Sequence, residues 1–417
     1  MPNAIRHLIN DNGEPFASTE LQTISGDLDE LTDIERTNYR NGNASAIAGH
    51  PSSRIVIVSG PGTGKSTIFK QRIGYWLTQN PTAGILALSF VRKLVADLQN
   101  DIQNDTSLTE EQKEQAEVHT LHKHARSIVE QNHGTSELRF QPHFRIISDV
   151  WANVVWEDVL LIADQQDKTA YSLKKFNEQL HNASFDASEE WKTVVINYFK
   201  LSKFYNAVGF ADLILHAPKA LLENRSLIKH QFFIVDEYQD FNTAEEKFIK
   251  ELTISNSGIL IVGDDDQVLY EKLKSGKAEL IRNLYQDTSF TTAMLPFCGR
   301  SSFHITKTAG HFIKQSQEDG YIEKIYLPIS TDAQCPKVQI IGCATSPTAV
   351  DYIKKFIEDH TQEIAARKSD LINGQSKDPF LLILTPAGQV AFYANSNANK
   401  DLFEIVAEYK SESAKFS

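Results

Sequence analysis

Short apolar runs alternate with longer stretches of helical periodicity over much of the chain. Four runs have the length and the Val, Ile, Leu and Phe content of buried strands. They are RIVIV (54–58), GILALSF (84–90), FFIVDE (232–237) and GILIVGD (258–264). The first two precede patterns that predict helices from Ser66 to about Leu77 and from Val91 to about Ile102. Strands that alternate with helices predict an α/β fold with a parallel sheet and ligands at the carboxyl ends of the strands.

The pattern changes between about residues 104 and 230. Charged and apolar residues recur there at helical spacing, strand-like runs are scarce, and three of the four tryptophans lie in this region. We interpret it as a helical insertion. Residues 1–50 are polar and predict a lead-in with one short helix.

A further α/β unit is predicted near the carboxyl end of the chain. It begins near residue 336 with VQIIG, continues with a helix across 347–361, and ends in the strand FLLILT (380–385).

Composition and charge narrow the class of protein. Hydrophobic residues make up 41% and charged residues 23% of the chain, which is typical of a globular protein. The net charge of −12 argues against a surface that is coated with nucleic acid throughout, although it permits a local basic groove. No secretory signal or membrane span is expected, because no apolar run is long enough.

The three cysteines, Cys298, Cys335 and Cys343, form no CxxC pair and lie at no ligand spacing from a histidine. We therefore expect neither a disulfide framework nor a zinc site, and a cytoplasmic location fits this usage.

The strongest chemical motif is SGPGTGKST (59–67), which follows a predicted strand and opens a predicted helix. Glycines allow the backbone to curl so that amide groups point at phosphate, and the helix N-terminus adds its positive end. Lys65 is predicted to reach the β- and γ-phosphates, and Ser66 to bind Mg²⁺. Ser59 stands where the strict pattern has glycine. The predicted nucleotide-binding residues are Gly60, Pro61, Gly62, Thr63, Gly64, Lys65, Ser66 and Thr67.

The second motif is FFIVDEYQD (232–240), an apolar strand that ends in two acids. In this position Asp236 is predicted to bind Mg²⁺ and Glu237 to act as the general base that polarises the attacking water. A solvated strand end is the alternative that this pattern alone leaves open.

The third motif is GILIVGDDDQVLY (258–270), in which a strand leads into three aspartates and Gln267. An uncharged Gln suits a sensor that hydrogen-bonds both water and γ-phosphate. The alternative is a solvated acidic turn.

DEYQD (236–240) and GDDDQ (263–267) after a P-loop resemble the UvrD/Rep-like superfamily 1 DNA helicases. LSFVRKLVADL (88–98) resembles their motif Ia, and VHTLHKHARSIV (118–129) their motif Ib. FCGRSS (297–302) is similar to the motif that carries their arginine finger. The resemblance covers residues 54–315 well and is faint beyond them.

The resemblance implies two RecA-like domains, with ATP between them and single-stranded DNA across the top. We expect a lead-in at 1–50, a first RecA-like domain at 51–103 and 231–295, a helical insertion at 104–230, and part of a second RecA-like domain at 296–417.

The resemblance also assigns individual roles. Lys65, Glu237, Gln267 and Arg300 would be catalytic, with Arg300 as the finger that neutralises charge on the γ-phosphoryl group. The residues at DNA-contacting positions are Phe90, Arg92, Lys93, His122 and Tyr270. Aromatic stacking on bases tolerates any sequence, which suits a motor. Core packing for Phe90 and Tyr270, a structural His122, and a solvated helix start for Arg92 and Lys93 are the alternatives.

Three departures from the family concern the adenine contacts. Glu35, Thr67 and Gly299 stand where family members have a Gln, an Arg and a Tyr. Because the phosphate-binding positions are kept, we hypothesise that the site recognises the base weakly or through another group such as Phe297. Lys272 and Leu273 likewise replace an aromatic residue and an Arg after the third motif.

The later motifs of the second RecA-like domain are not found after residue 316. Two interpretations stay open: a fragment of a longer protein, or a short form whose site a partner protein completes. Either predicts slow ATP hydrolysis by the isolated chain, because the missing motifs supply the family's second arginine to the γ-phosphate and such an arginine contributes about 10³–10⁵ in rate.

The sequence therefore predicts an ATP-dependent DNA helicase or translocase with ATP and Mg²⁺ as cofactors and single-stranded DNA as partner. The alternative is a nucleotide-gated DNA-binding ATPase subunit of a larger assembly that does not unwind DNA itself.

Overall fold

The computed structural model describes residues 28–366 with gaps, together with the residue pairs 6–7 and 22–23. The gaps are residues 90–91, 107, 133–140, 142, 148, 166, 256, 269–274, 316–319, 340–345 and 364–365. Residues Met1–Lys337 form one compact unit and Val338–Ser417 form a second.

The strands are short. They are β1 (Arg6–His7), β2 (Gln22–Thr23), β3 (Arg54–Val58), β4 (Ile85–Ser89), β5 (Ala116–Thr120), β6 (Arg145–Ile146), β7 (Ala207–Val208), β8 (Phe232–Val235), β9 (Gly258–Gly263), β10 (Thr291–Met294), β11 (Phe297–Cys298) and β12 (Leu327–Pro328).

Helices make up most of the remaining described structure. They are α1 (Asp33–Gly49), α2 (Lys65–Gln79), α3 (Arg92–Gln103), α4 (Glu110–Glu114), α5 (Leu121–Gln131), α6 (Asp149–Ile162), α7 (Leu173–His181), α8 (Glu189–Tyr205), α9 (Phe210–Glu223), α10 (Thr243–Leu252), α11 (Ala278–Gln286), α12 (Phe303–Gln315) and α13 (Ser346–Asp359). Single 3-10 turns cover Leu28–Glu30, Arg225–Leu227 and Tyr238–Asp240.

The main sheet has its strands in the order β10–β3–β9–β8–β4–β5, and every neighbouring pair is parallel. The predicted α/β class and parallel sheet are therefore confirmed. Because all six strands run in one direction, the loops that follow β3, β8 and β9 leave the sheet at the same edge. That edge brings together the three sequence motifs.

The sheet is covered on both faces, as parallel sheets require. Side chains along a strand point alternately to opposite faces. Within β3, Val56 and Val58 accordingly pack into one buried cluster, and Ile55 and Ile57 pack into another. The P-loop therefore leaves a strand that is anchored from both sides.

Helix α1 is longer than the short helix expected within residues 1–50. It runs for 17 residues and begins with a capping box between Thr32 and Glu35. Its buried residues include Tyr39 and Ile47, which belong to the cluster on one face of the sheet. This helix is therefore part of the core, although its polar sequence hides the buried face.

The edge strand β5 lies inside the range predicted as helical insertion. It pairs in parallel with β4 from Ile85↔Ala116 to Ser89↔Thr120. Its sequence, AEVHT, has Val118 as its one buried residue, so it lacks the apolar run by which the other strands are recognised.

The described residues of the rest of the range 104–230 are mainly helical. Helices α6, α7 and α8 share a separate apolar cluster around Trp156, Phe176 and Trp191. Phe176 is fully buried and stacks on Trp156, with ring centroids 4.8 Å apart. The insertion thus has an apolar cluster of its own.

In the second unit, α13 corresponds to the helix predicted across 347–361. The strand FLLILT (380–385) lies outside the described residues. Cys298 and Cys335 are free thiols, and Cys343 is outside the described residues. Among the helices described, none is both long and apolar enough to cross a membrane.

Candidate nucleotide site

The P-loop connects β3 to α2 through residues 59–64. Gly62 and Gly64 have φ angles of 74° and 106°, a left-handed conformation that explains the glycines at these two positions. Gly64 caps α2 without any side-chain hydrogen bond to the first helical amides. Those amides are therefore free of a side-chain cap, which suits the binding of an anion at this helix end.

The two acids of the second motif lie beside the P-loop lysine. Lys65 Nζ is 3.6 Å from Glu237 Oε2. Burial raises the pKa of the Asp236 carboxyl to about 7, the neighbouring Glu237 adds to the rise, and Lys65 opposes it. Glu237 itself has a φ of 50°, a strained conformation for a residue other than glycine that is typical of functional sites.

Asp236 and Ser66 have the chemistry of Mg²⁺ ligands. The cation prefers carboxylate and hydroxyl oxygens, and a buried carboxyl with a raised pKa gains from a cation nearby. The side chain of Ser66 is exposed at the start of α2, whereas Asp236 is buried at the end of β8. The donor set therefore fits the metal that the sequence predicts.

Gln239, which the sequence interpretation gave no role, connects the second and third motifs. Its Nε2 donates a hydrogen bond of 3.0 Å to Glu237 Oε2, and its Oε1 accepts one of 3.0 Å from the backbone amide of Asp264. Gln239 is buried. It thereby fixes the orientation of the Glu237 carboxylate relative to β9.

Gln267 belongs to the same network. Its side-chain amide donates to Asp264 Oδ2, and its backbone carbonyl oxygen lies 3.5 Å from Gln239 Nε2. The predicted sensor is thus connected to the predicted general base through two intervening residues, Asp264 and Gln239.

The segment with Arg300 lies against the P-loop. The Gly299 amide donates a 3.0 Å hydrogen bond to the Gly62 carbonyl, and a Cβ added at Gly62 would lie 2.6 Å from Arg300 Cβ. Arg300 is exposed. The predicted arginine finger is therefore brought next to the predicted phosphate-binding loop.

Two residues that the sequence did not single out also contact the P-loop. Arg40 Nε donates to the Thr63 carbonyl at 3.1 Å, and its guanidinium also lies beside Gly64 and Gly299. Tyr326 Oη donates to the Pro61 carbonyl at 2.9 Å. Arg40 lies in the middle of a polar helix, where an isolated charge usually faces solvent, so no sequence signal distinguished it.

The three positions that depart from the family occupy different surroundings. Glu35 accepts hydrogen bonds from the Thr32 amide and hydroxyl in the cap of α1, and Thr67 is exposed. Gly299 faces the Arg40 guanidinium. Phe297, considered as another base contact, is fully buried in the core, so the structure argues against that role.

Of the five predicted DNA contacts, His122 has a described side chain. Phe90 and Tyr270 lie outside the described residues, as do the side chains of Arg92 and Lys93 at the start of α3. The His122 side chain is 11% exposed, 3.9 Å from Glu245, and stacked on Phe210 with ring centroids 4.1 Å apart. These packing contacts favour a structural role for His122, and its DNA contact stays a prediction.

The family model of the UvrD/REP helicase N-terminal domain matches residues 40–289. The chain belongs to the UvrD/REP helicase family. The parallel sheet with a P-loop after β3 is accordingly the RecA-like core of a UvrD/REP helicase N-terminal domain.

Several curated proteins are similar to this member of the UvrD/REP family. DNA helicase II of Rickettsia typhi is 23% identical over 345 residues, which cover 78% of this chain and 51% of that protein. ATP-dependent DNA helicase Rep of Buchnera aphidicola (subsp. Schizaphis graminum) is 25% identical over 254 residues, which cover 56% of this chain and 37% of that protein. DNA helicase II of Haemophilus influenzae is 24% identical over 314 residues, which cover 70% of this chain and 42% of that protein. The chain thus spans about half or less of the length of these relatives.

Proposed function

We propose that this chain binds Mg·ATP at the edge of its parallel sheet and uses ATP hydrolysis to move on single-stranded DNA. The observation that carries the proposal is the 3.6 Å approach of Lys65 Nζ to Glu237 Oε2, since it joins the phosphate-binding loop to the predicted general base. Membership of the UvrD/REP family and the helicase names of the relatives support the same function.

Each residue has a defined task in this proposal. Lys65 and the α2 amides bind phosphate oxygens, and Glu237 orients and deprotonates the attacking water. Asp236 and Ser66 would hold Mg²⁺, which supplies neutralisation of phosphate charge when bound. Gln267 hydrogen-bonds the attacking water and the γ-phosphate, and Arg300 neutralises the charge that develops on the transferred group.

The helicase proposal is preferred to a DNA-binding ATPase subunit that does not unwind DNA. The curated relatives named above are all DNA helicases, and no contact among the described residues favours the alternative. A partner protein that completes the second RecA-like domain is a further proposal, and addition of such a partner should raise the ATPase rate.

The decisive experiment compares Lys65→Ala with Lys70→Ala. Both lysines lie in α2, but Lys70 is 3.9 Å from Asp105 rather than beside Glu237. We expect Lys65→Ala to lose Mg·ATP binding and DNA-stimulated hydrolysis while Lys70→Ala keeps both. Equal binding of Mg·ATP by Lys65→Ala and the parent chain would overturn the proposal.

Unwinding is measured separately with a 3′- or 5′-tailed duplex. Displacement of the complementary strand that depends on ATP supports a helicase, whereas DNA-stimulated hydrolysis without displacement supports the ATPase-subunit alternative. The assay should be made at several salt concentrations, because contacts with DNA phosphates weaken as salt rises.

Recognition of the base requires its own measurement. Glu35, Thr67 and Gly299 replace the family's adenine contacts, and we propose that the site selects weakly among nucleoside triphosphates. Equilibrium binding of ATP, GTP and CTP should then differ by well under 100-fold. A preference for ATP of about 100-fold, which corresponds to about 2.7 kcal/mol, contradicts this part of the proposal.

A further inference from the structure

Lys324 inserts its side chain into the acidic cluster of the third motif. Its Nζ lies 2.5 Å from an oxygen of Asp264 and 2.6 Å from oxygens of both Asp265 and Asp266. The Lys324 side chain is 8% exposed. An ammonium group has three N–H donors, and here each donor has a carboxylate partner.

The three aspartates need a cation at this place. Their carboxylate oxygens lie within 4.8 Å of one another, a spacing that would suit a metal ion. Burial by itself would lower the pKa of Lys324, but Asp264, Asp265 and Asp266 together raise it above its ordinary value. Lys324 therefore stays charged and takes the position that a cation would otherwise fill.

The two oxygens of Asp264 are used in different directions. Oδ1 accepts from Lys324, and Oδ2 accepts from the side-chain amide of Gln267. The Asp264 amide is in turn held by Gln239, which also contacts Glu237. Oδ1 also accepts a weaker hydrogen bond of 3.3 Å from the Asp266 amide. Because Lys324 makes the shorter contact with this oxygen, it helps to set where the other oxygen holds Gln267.

The segment that carries Lys324 also contacts the P-loop. The Ile322 amide donates a 2.9 Å hydrogen bond to Asp265 Oδ2, and Tyr326 Oη donates to the Pro61 carbonyl. Leu327 then pairs with Phe297 in the two-stranded parallel sheet of β11 and β12. A displacement of residues 322–327 would therefore disturb contacts with both the P-loop and the third motif.

We infer that Lys324 is a positioning residue for the proposed hydrolysis. It holds the Gln267 amide in place through Asp264 and acts as the built-in cation of the three aspartates. The inference rests on the proposed function, because Lys324 acts on the proposed hydrolysis only through Asp264 and Gln267. Loss of this lysine should impair the hydrolytic step far more than nucleotide binding.

The test uses Lys324→Met with Arg282→Met as the matched control. Arg282 is also a buried cation of the same cluster, but its contact is with Asp265 Oδ2 at 3.0 Å and not with Asp264. The measurements are kcat and KM for ATP at saturating single-stranded DNA, equilibrium ATP binding, and the melting temperature of each variant. The conservative variant Lys324→Arg is measured in parallel.

We expect Lys324→Met to lower kcat about tenfold or more with ATP affinity changed less than about threefold, and Lys324→Arg to recover much of the rate. Arg282→Met should lower the melting temperature comparably but keep kcat within about threefold. Combination with Gln267→Ala should add little to the Lys324→Met loss, since both act through one contact.

Two results overturn the inference in distinguishable ways. An unchanged kcat in Lys324→Met, or equal losses in both Met variants, refutes the positioning role and leaves the proposed function intact. Absence of DNA-stimulated hydrolysis in the parent chain refutes the proposed function, and the role of Lys324 falls with it.

Discussion

Lys65 Nζ lies 3.6 Å from Glu237 Oε2, although the strands that these residues follow, β3 and β8, are separated in the sheet by β9. The pair bridges the site from the P-loop to the second motif. Lys65 is therefore paired with the residue that we propose as general base, and a phosphate group must compete with a carboxylate for it.

This pairing predicts opposite effects on binding and rate in Glu237→Gln. The neutral amide releases Lys65 for phosphate, so ATP affinity should be equal or higher. The rate of hydrolysis should fall about 10²-fold or more, since a general base contributes about 10²–10⁴. Nucleotide binding and single-turnover hydrolysis measure the two effects.

Glu251→Gln is the control for this prediction. Glu251 pairs with Arg225 at 2.8 Å on the surface, and its replacement should change neither quantity. A Glu237→Gln variant that binds ATP normally and hydrolyses it at the parent rate would remove Glu237 from the mechanism.

Arg40 is predicted to strengthen nucleotide binding. It supports the P-loop through the Thr63 carbonyl and adds a positive charge beside Gly64. Hydrogen bonds to charged groups contribute about 1.5–3 kcal/mol, so Arg40→Ala should weaken ATP binding about tenfold or more. Titration with a fluorescent ATP analogue measures the change.

Arg54→Ala provides a matched comparison, because Arg54 is an exposed arginine at the opposite end of β3, over the Phe290 ring. It should bind the analogue as the parent does. If both variants bind equally well, the contact of Arg40 with the P-loop has no part in nucleotide affinity.

We predict that the folded protein loses stability at acid pH because of His124. Burial, together with His230 and His119, lowers the pKa of His124 from 6.5 to about 3. Between these values the unfolded chain binds a proton at this position that the folded chain does not. The free energy of unfolding therefore falls by about 1.4 kcal/mol per pH unit as the pH is lowered below 6.5.

Urea unfolding of the parent and His124→Gln at pH 7 and pH 5 tests this. Lowering the pH should cost the parent about 1–2 kcal/mol more than it costs the variant. His311→Gln, at an exposed position of α12, should follow the parent. Parallel pH dependence in the parent and His124→Gln would contradict the assignment.

Phe176→Ala should destabilise the helical insertion. The Phe176 ring is fully buried among the aromatic residues of α6 and α8, and loss of such a ring costs about 3–5 kcal/mol. Hydrogen exchange should accelerate in α6, α7 and α8 and change less in β3 and β9, because the insertion has its own apolar cluster. Phe185→Ala, at a residue 40% exposed beside the same cluster, should have a much smaller effect.

The sequence predicted the parts of the fold that have a strong local pattern. The apolar runs at β3, β4, β8 and β9 are buried strands, because a parallel sheet with both faces covered requires continuous hydrophobic residues. Strand β5, with the sequence AEVHT, was not predicted because it has no run of apolar side chains. Backbone pairing with β4 holds it at the edge of the sheet.

The same distinction applies to the site. Lys65, Asp236 and Gln267 could be predicted because each stands in a short motif with a defined spacing. Lys324 and Arg40 could not, since each is a single charged residue in an ordinary polar stretch. They reach the site through tertiary contacts with residues distant in the chain.

The ring of Tyr326 has a consequence for variation among related sequences. A Cβ at position 60 would lie 2.6 Å from this ring, so the ring fills the volume that any side chain there would need. A larger residue at position 60 therefore requires a smaller residue at position 326, and the two positions should covary across homologues. Gly60 is thus constrained by a distant tyrosine in addition to the nucleotide that we propose it binds.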